Sequence, residues 1–188
     1  NLVKNFQNME WVHASSAGVD AYINPLFSKS KVIFTNGKIL QGPEIGDHAL
    51  GLILTFSRNI HFYTKVKTKT KPKRPIELMK KKALIVGFGG IGKCIGERLK
   101  GFGVIVDAIS EELPPLTNEI SSFYSRKELN KISKNYDIII SAAPLTKKTK
   151  QIFNYNFFRL MKNNSIFINV SRGALVDTKA LLKKKIYK

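Results

Sequence analysis

The stretch Lys82-Ala-Leu-Ile-Val-Gly-Phe-Gly-Gly-Ile-Gly92 carries the strongest structural signal in this chain. Its apolar beginning, residues 83–86, predicts a buried strand, and three glycines follow in the spacing G-x-G-x-x-G. Residues 93–100 then have a helical pattern, and residues 104–106 predict a second strand. A glycine turn between a strand and a helix, with a further strand behind it, is the setting of a dinucleotide-binding fingerprint.

The glycines have separate physical roles in such a turn. The first allows the tight turn, the second lets the backbone approach a pyrophosphate, and the third lets the helix pack closely on the strand. The first N–H groups of a helix have no helical partner and carry a partial positive charge, so they attract phosphate. A glycine-rich turn without a ligand remains the alternative. We predict that five residues hold a pyrophosphate: Gly87, Gly89, Gly90, Ile91 and Gly92.

Strand and helix patterns alternate along the chain from residue 82 onward. The further predicted elements are a helix over 126–134, a strand over 136–141, a helix over 153–161, a strand over 165–170 and a helix over 178–185. Both of these strands are almost entirely apolar, which is typical of strands buried on two faces. The alternation predicts an α/β fold with a doubly wound parallel sheet of the Rossmann type.

The first part of the chain has a different organisation. Short strands are predicted over 11–14 and 31–35, with one or two helical turns over 21–28 between them. Pro43 fits the first position of a helix, and apolar residues at helical spacing extend that helix to the mid-60s. The basic segment 65–75, which contains two prolines, predicts an exposed connector.

The chain of 188 residues is strongly basic, with a formal net charge of +19, which can indicate nucleic-acid binding. Its basic residues are mostly lysines spread along the chain, and the two dense runs, 65–74 and 183–188, do not alternate arginine with aromatic residues. A solvated basic surface is therefore favoured over a nucleic-acid interface. No apolar run approaches the ~20 residues of a membrane span. The single cysteine, Cys94, is expected to be a packing residue and suits a reducing, cytoplasmic setting.

Five segments, taken in order, resemble the D-isomer-specific 2-hydroxyacid dehydrogenase family. They are residues 11–20 (WVHASSAGVD), 42–58 (GPEIGDHALGLILTFSR), 83–103 with the glycine fingerprint, 137–149 (DIIISAAPLTKKT) and 166–177 (IFINVSRGALVD). The QGP sequence at 41–43 resembles the glyoxylate and hydroxypyruvate reductases of that family. The resemblance implies a partial, flavodoxin-like substrate-binding domain over 1–42. It also implies an NAD(P)-binding Rossmann domain over 43–188 that includes the long linking helix.

The resemblance also implies a reaction, the transfer of a hydride between NAD(P)H and a small 2-oxo acid or D-2-hydroxy acid such as glyoxylate or hydroxypyruvate. Arg172 matches the family's catalytic and substrate-binding arginine, and a guanidinium is a forked donor suited to a carboxylate and a carbonyl oxygen. Ala17 and Gly18, after Ser16, match its carboxylate-binding loop, whereas Asp20 is expected to be a local cap. A homodimer formed through the long helix is implied as well.

Further cofactor contacts are implied at the ends of the later strands. An acidic residue at the end of the second strand normally binds the ribose hydroxyls of NAD. Ser110 occupies that position here, and Asp107 falls three residues earlier, where it is expected to belong to the strand. Ser110 would not repel a 2′-phosphate, but Glu111 and Glu112 follow it and no Arg or Lys stands beside it in the sequence, so NAD and NADP both stay open. The implied cofactor-binding residues of this group are Ser110, Ala142, Pro144, Thr149, Val170, Ser171 and Arg172.

The family's catalytic histidine and its glutamate partner lie beyond the region that matches Val176-Asp177. The resemblance therefore leads us to expect a fragment of a complete enzyme that is inactive alone. An inactive truncated product and a non-catalytic dinucleotide-binding regulator are the alternatives. His48 is expected to have a structural role among apolar residues of the long helix, and neither His13 nor His61 suggests a metal site.

Overall fold

The structure, a computed structural model, describes residues 8–22, 24–64, 74–111 and 120–184. The predicted connector over 65–75 and the two lysine-rich runs lie largely outside these ranges. The chain divides into two compact units, Asn1–Gln41 and Gly42–Lys188. This boundary lies one residue before the predicted one, and the assignment of the first unit to a substrate-binding domain stays a prediction.

The first unit contains two parallel strands, β1 (Trp11–Ala14) and β2 (Ile33–Asn36), close to where the sequence predicts them. The short helix α1 (Pro25–Ser28) lies between them in the chain. The Asn24 side chain caps α1 by accepting two backbone N–H groups of its first turn. Phe27 of α1 packs edge-on against a phenylalanine of β2, with the ring centroids 5.2 Å apart, and so joins the helix to the strand pair.

The second unit is built around a parallel sheet. Its strands are β3 (Lys82–Val86), β4 (Ile105–Ile109), β5 (Ser122–Tyr124), β6 (Ile138–Ser141) and β7 (Ile166–Asn169). Their spatial order is β5-β4-β3-β6-β7, and every neighbouring pair is parallel. The chain runs outward from β3 to β5 and then returns to the other side of β3. This is the doubly wound Rossmann arrangement that the sequence predicts, and ligands bind such sheets where the order reverses.

Helices cover both faces of this sheet. They are α2 (Gly42–Ser57), α3 (Ile60–Tyr63), α4 (Gly90–Gly101), α5 (Leu129–Ile132), α6 (Tyr155–Leu160) and α7 (Thr178–Lys183). One apolar cluster packs Ile53 of α2 and Ile95 of α4 on one face, and a second packs Leu129 of α5 and Phe157 of α6 on the other. The central strands β3 and β6 are buried over four consecutive residues each, which explains their continuous apolar sequence.

The long helix that the sequence predicts from Pro43 to the mid-60s is interrupted, so this prediction is wrong beyond Ser57. There α2 ends, and the short helix α3 begins only at Ile60. Asn59 between them has a φ of 58°, a left-handed conformation that stops an α-helix and that asparagine tolerates better than most residues. The apolar spacing continues across the break, and therefore periodicity alone does not reveal it.

Smaller differences concern the edges of other elements. The predicted helix over 153–161 begins only at Tyr155, because Phe153 forms a parallel bridge with Val176. The predicted helix over 126–134 is divided into α5 and two single 3₁₀ turns. The sequence reasoning missed the short edge strand β5. The prediction that Asp107 belongs to the strand after the glycine turn is confirmed, since that strand, β4, extends to Ile109.

Asp107 is a carboxylate buried inside the second unit. It is 7% exposed, and its Oδ2 accepts a hydrogen bond of 2.8 Å from the hydroxyl of Tyr136. Burial raises the pKa of Tyr136, and the hydrogen bond to Asp107 raises it further. The hydroxyl therefore stays protonated and remains a donor. A buried carboxylate that loses a donor is costly, so the pair constrains the position of both β4 and the start of β6.

The Tyr136→Phe variant removes this donor and keeps the ring. We expect the free energy of unfolding to fall by about 1–3 kcal/mol, because the Asp107 carboxylate would remain buried without its hydrogen bond. Chemical denaturation followed by circular dichroism measures the change. Tyr155→Phe is the matched control, since the Tyr155 side chain on α6 is 54% exposed. Equal losses in the two variants would contradict the role of the pair.

Asp137 joins three segments at the beginning of β6. Its carboxylate accepts hydrogen bonds from the Lys82 backbone N–H at 3.0 Å and from the Lys162 ammonium at 2.8 Å. Partial burial by itself would raise the pKa of Asp137, but the bonds from Lys162 and Lys82 outweigh it, and the pKa is lowered. A carboxylate with a lowered folded-state pKa stabilises the fold above its unfolded pKa of ~3.9. That contribution is lost as the pH falls through the folded-state pKa.

The Lys162→Met variant removes the cation that favours the Asp137 carboxylate. The acid-unfolding midpoint is expected to move to higher pH. The Asp137 and Lys162 side chains are 29% and 40% exposed, so solvent screening limits the contribution of their ion pair to the free energy of unfolding. At neutral pH we therefore expect the variant to lose only about 0.2–1 kcal/mol. An acid titration followed by circular dichroism measures the midpoint, with Lys179→Met on α7 as a control of equal charge. An acid-unfolding midpoint of Lys162→Met that equals the midpoint of Lys179→Met would rule out this role.

Candidate functional site

The turn between β3 and α4 is held by backbone contacts with the neighbouring strands. Gly87 has a φ of 98°, and a Cβ atom at this position would overlap the backbone of Ala142 and Ala143. The Gly87 N–H donates to the carbonyl of Ile109 at 2.8 Å, and the Ala142 N–H donates to the carbonyl of Val86 at 2.8 Å. The tight turn predicted at Gly87 is therefore confirmed, and it brings the ends of β3, β4 and β6 together.

The other two glycines of the motif differ from each other. A Cβ atom on Gly92 would overlap the carbonyl oxygen of Gly87 and would lie 3.4 Å from the Ile85 side chain. Gly92 thus permits the close packing of helix and strand that the sequence predicts. A Cβ atom on Gly89 would meet no heavy atom within 4 Å, and Gly89 is exposed. Packing does not require glycine at position 89, and the space above it is open to a ligand.

The first turn of α4 begins directly after Gly89 and carries backbone N–H groups without helical partners. Gly89 precedes the helix, and the first helical hydrogen bond runs from the Lys93 N–H to the Gly89 carbonyl at 2.9 Å. The N–H groups of Gly90, Ile91 and Gly92 come before that bond, so they have no carbonyl one turn earlier in the helix. With the partial positive charge of a 12-residue helix, these groups suit a phosphate.

A cleft of about 610 Å³ opens at the carboxyl ends of β3, β4 and β6. This volume is within the range of pockets that bind cofactors. Of the residues predicted to bind cofactor, the structure brings together Gly87, Gly89, Ser110, Ala142, Pro144 and Thr149 as lining residues. The lining does not include Gly90, Ile91, Gly92, Val170, Ser171 or Arg172. Contact of any of them with a dinucleotide stays a prediction.

Several lining residues were missed by the sequence reasoning. They are Val86, Phe88, Ile109, Glu111, Arg126, Ala143, Thr146, Lys147, Lys148 and Ile152. Arg126 is the most informative of them, because it reaches the cleft from the segment after β5. Its Nε lies 3.2 Å from Oε1 of Glu111, and its terminal nitrogen donates to the Lys148 carbonyl at 2.8 Å. The strand order is what brings Arg126 near Glu111, and no local sequence signal indicates this contact.

The loop after β6 forms one wall of the cleft and is fixed by its own hydrogen bonds. The Thr149 hydroxyl donates to the Pro144 carbonyl at 2.6 Å and accepts the Thr146 N–H at 2.8 Å. Thr149 is buried, so its hydroxyl holds the loop in shape. Its predicted contribution to cofactor binding is therefore the shape of the wall.

Arg172 follows β7 at the same carboxyl edge of the sheet. Its side chain is exposed, and its carbonyl accepts a hydrogen bond of 3.0 Å from the Asn169 side chain. The neighbouring Ser171 hydroxyl lies 3.1 Å from that of Ser141 at the end of β6, and the Val170 N–H donates to the Ser141 carbonyl. These bonds join the segment that carries Arg172 to the end of β6, the strand that leads into the cleft wall.

In the first unit, the predicted carboxylate-binding loop follows β1. The Ser16 hydroxyl donates to the Gly18 carbonyl at 2.9 Å, and the Asn36 side chain donates to the Ala17 carbonyl at 2.7 Å. These bonds fix the loop through its carbonyl groups. Binding of a substrate carboxylate by Ala17 and Gly18 stays a prediction.

His48 does not lie among apolar residues, so this expectation is wrong. It is exposed on α2, on the side that also carries the exposed Glu44 and Gly51. The His61 Nδ1–H donates a hydrogen bond of 3.0 Å to the Thr55 carbonyl oxygen. Within the described ranges, no group of three or more His, Cys, Asp and Glu side chains comes together to hold a metal ion. No helix in the same ranges combines the length and apolar character needed to cross a membrane.

Comparison with known proteins shows what the chain is similar to. A model of the D-isomer specific 2-hydroxyacid dehydrogenase NAD binding domain matches residues 50–185. D-3-phosphoglycerate dehydrogenase of Methanocaldococcus jannaschii is 27% identical over 185 residues, which cover 96% of this chain and 35% of the relative. Glyoxylate reductase of Pyrococcus furiosus is 35% identical over 149 residues, which cover 73% of this chain and 44% of the relative.

A solved structure agrees with these sequence matches. The D-isomer specific 2-hydroxyacid dehydrogenase family protein from Aeromonas salmonicida has a TM-score of 0.84 and 26% identity to this chain. The match covers 98% of this chain and 59% of that one. By the coverages given for the two curated relatives, the chain spans less than half of the length of each.

The Gly89→Asp variant tests the anion site in the glycine turn. The side chain would enter open space, so the fold should be retained. Its charge would face the pyrophosphate, and we expect dinucleotide affinity to fall about 100-fold or more. Calorimetric titration with NADH and NADPH measures the affinity. Gly101→Asp, at an equally open glycine at the far end of α4, is the matched control. Undiminished binding by a folded Gly89→Asp chain would show that phosphate does not bind there.

Proposed function

Because this chain belongs to the D-isomer specific 2-hydroxyacid dehydrogenase family, we propose that it forms the dinucleotide-binding part of an oxidoreductase that acts on a small 2-oxo acid or D-2-hydroxy acid. The observation that carries the proposal is the cleft beside Gly89. This glycine has open space above it, at the start of a 12-residue helix. Packing explains the other two glycines of the motif, whereas the open space above Gly89, at the edge of the cleft, supports the approach of a ligand to its backbone.

The residues of the cleft fit a dinucleotide. The N–H groups of the first turn of α4 would hold the pyrophosphate, and the lining around Ser110 would hold the adenosine ribose. Phe88 and Ile152 add apolar surface to the lining. The dinucleotide, when bound, supplies or accepts the hydride.

Arg172 is the proposed substrate-binding and catalytic residue. A guanidinium donates two parallel hydrogen bonds to a carboxylate, and it stabilises the negative charge that develops on a carbonyl oxygen during reduction. Its place at the carboxyl edge of the sheet, one strand from the cleft wall, supports this role. Ala17 and Gly18 remain the proposed second carboxylate-binding group. The described part of the second unit offers no histidine in the cleft lining, so the proposal assigns no proton donor there.

Glyoxylate and hydroxypyruvate are the proposed substrates. The match to glyoxylate reductase of Pyrococcus furiosus and the sequence Gln41-Gly-Pro43 support this choice. The match to a D-3-phosphoglycerate dehydrogenase makes phosphorylated 2-oxo acids the natural comparison in an assay. We also propose a homodimer that forms through α2, for which sedimentation would give twice the chain mass of 21.2 kDa.

Two measurements test the proposed function in sequence. Calorimetric titration of the chain with NADH and NADPH should show saturable binding, and absence of binding to a folded sample would refute the proposal. The loss of dihydronicotinamide absorbance in the presence of glyoxylate, hydroxypyruvate or a phosphorylated 2-oxo acid then measures turnover. Because this chain is expected to be inactive alone, turnover is measured on a protein that also carries the family's catalytic histidine and its glutamate partner. Tight dinucleotide binding without turnover by that protein would favour the non-catalytic, regulatory alternative.

The Arg172→Met variant tests the substrate site separately from the cofactor site. Oxalate is a non-reacting analogue with a carboxylate beside a carbonyl oxygen, and it should bind the NADH-saturated chain through Arg172. We expect the variant to bind oxalate about 10- to 100-fold more weakly, since a charged hydrogen-bonding group is lost. Arg172 is also a predicted cofactor contact, so NADH affinity is titrated first and the oxalate affinities are compared at saturating NADH. Arg159→Met, at an exposed arginine of α6, is the matched control. Equal oxalate affinity in both variants would exclude Arg172 as the carboxylate-binding residue.

A further inference from the structure

The end of β4 lacks the carboxylate that favours NAD. Ser110 directly follows β4, is half-buried and lines the cleft. At this position an acidic side chain would bind the ribose 2′-hydroxyl and repel a 2′-phosphate. The hydroxyl of Ser110 can donate a hydrogen bond to either group, so it does not oppose a phosphate.

Arg126 places a cation beside Ser110. It comes from a distant part of the sequence, at the turn that follows β5, and the strand order brings that turn next to the end of β4. Its side chain is only 28% exposed, and it is held from two sides, by the Glu111 carboxylate and by the Lys148 carbonyl. A guanidinium has five N–H donors, so these two contacts do not exhaust its capacity.

The charges around the cleft favour an additional phosphate. Among the residues that the structure describes, three with cationic side chains line the cleft, Arg126, Lys147 and Lys148, and one acidic residue, Glu111, lines it with them. Both lysines are exposed and lie between Thr146 and Thr149, within the hydrogen-bonded loop after β6. The described part of the lining therefore carries more positive than negative side-chain charge.

We propose that this cleft selects NADP over NAD, with Arg126 as the residue that binds the 2′-phosphate. Ser110 donates a hydrogen bond to the same phosphate, and the two lysines strengthen the local positive potential. The inference rests on the proposed function, because it requires the cleft to hold a dinucleotide.

Glu111 has a defined part in this arrangement. Without a ligand it pairs with Arg126 and keeps the guanidinium at the cleft wall. A 2′-phosphate carries more negative charge than a carboxylate and accepts a bidentate pair of hydrogen bonds, so it competes successfully for the same guanidinium. The opposing outcome is that Glu111 accepts the ribose hydroxyls and thereby favours NAD.

Titration of the chain with two pairs of ligands tests the proposal. NADPH is compared with NADH, and 2′,5′-ADP with 5′-AMP, so that the second pair isolates the 2′-phosphate from the nicotinamide half. We expect each 2′-phosphorylated ligand to bind about 10- to 100-fold more tightly than its partner. Arg126→Met should remove most of this difference and leave NADH affinity nearly unchanged. Glu111→Gln should preserve or increase the preference.

The matched control is Arg159→Met, which removes the same charge from an exposed site on α6 outside the cleft lining. A preference for NADH, or an equal loss of NADH and NADPH affinity in Arg126→Met, would overturn the 2′-phosphate assignment and leave the dinucleotide site intact. Binding of neither dinucleotide to the folded chain would overturn the proposed function and this inference together. The titrations therefore distinguish failure of the 2′-phosphate assignment from failure of the proposed function.

Discussion

The backbone of Gly87 lies against the backbone of Ala142 and Ala143, and the geometry of the cleft depends on this contact. No side chain larger than hydrogen fits there, and the positive φ of Gly87 turns the chain abruptly at the end of β3. The start of α4 then packs on the same turn through Gly92. Because both contacts are between backbone atoms, the ends of three strands and the beginning of a helix meet with little freedom to move. The open space above Gly89 is the result.

The sequence predicts the parts of this fold that depend on local order. The apolar strands, the glycine turn and the αβ alternation are visible in it because each produces a pattern within a few residues. The break at Asn59 is not visible, since one left-handed residue does not disturb the apolar spacing around it. Arg126 shows a second limit. Its contacts with Glu111 and Lys148 join segments 15 and 22 residues away, and only the order of strands in the sheet brings them together.

The large net charge of the chain does not determine the charge of the cleft. A net charge of +19 describes the whole chain, whereas the cleft depends on a few side chains that the fold places there. The carboxylates of Asp47, Glu111 and Asp137 each pair with a cation at the surface of the second unit. Asp107 is different, because it is buried and its hydrogen bond comes from a neutral hydroxyl. These pairings depend on the fold, which is why the sequence does not reveal the contact of Arg126 with Glu111.

The central place of β3 has a consequence for synthesis on the ribosome. One of its edges pairs with β4, which follows soon after in the chain, but the other pairs with β6. The hydrogen bond from the Lys82 N–H to the Asp137 carboxylate spans 55 residues. At a translation speed of roughly 5–20 residues per second, β6 emerges several seconds after β3. During that interval the nascent chain exposes an apolar strand with an unpaired edge, which makes chaperone binding and growth temperature important for its yield.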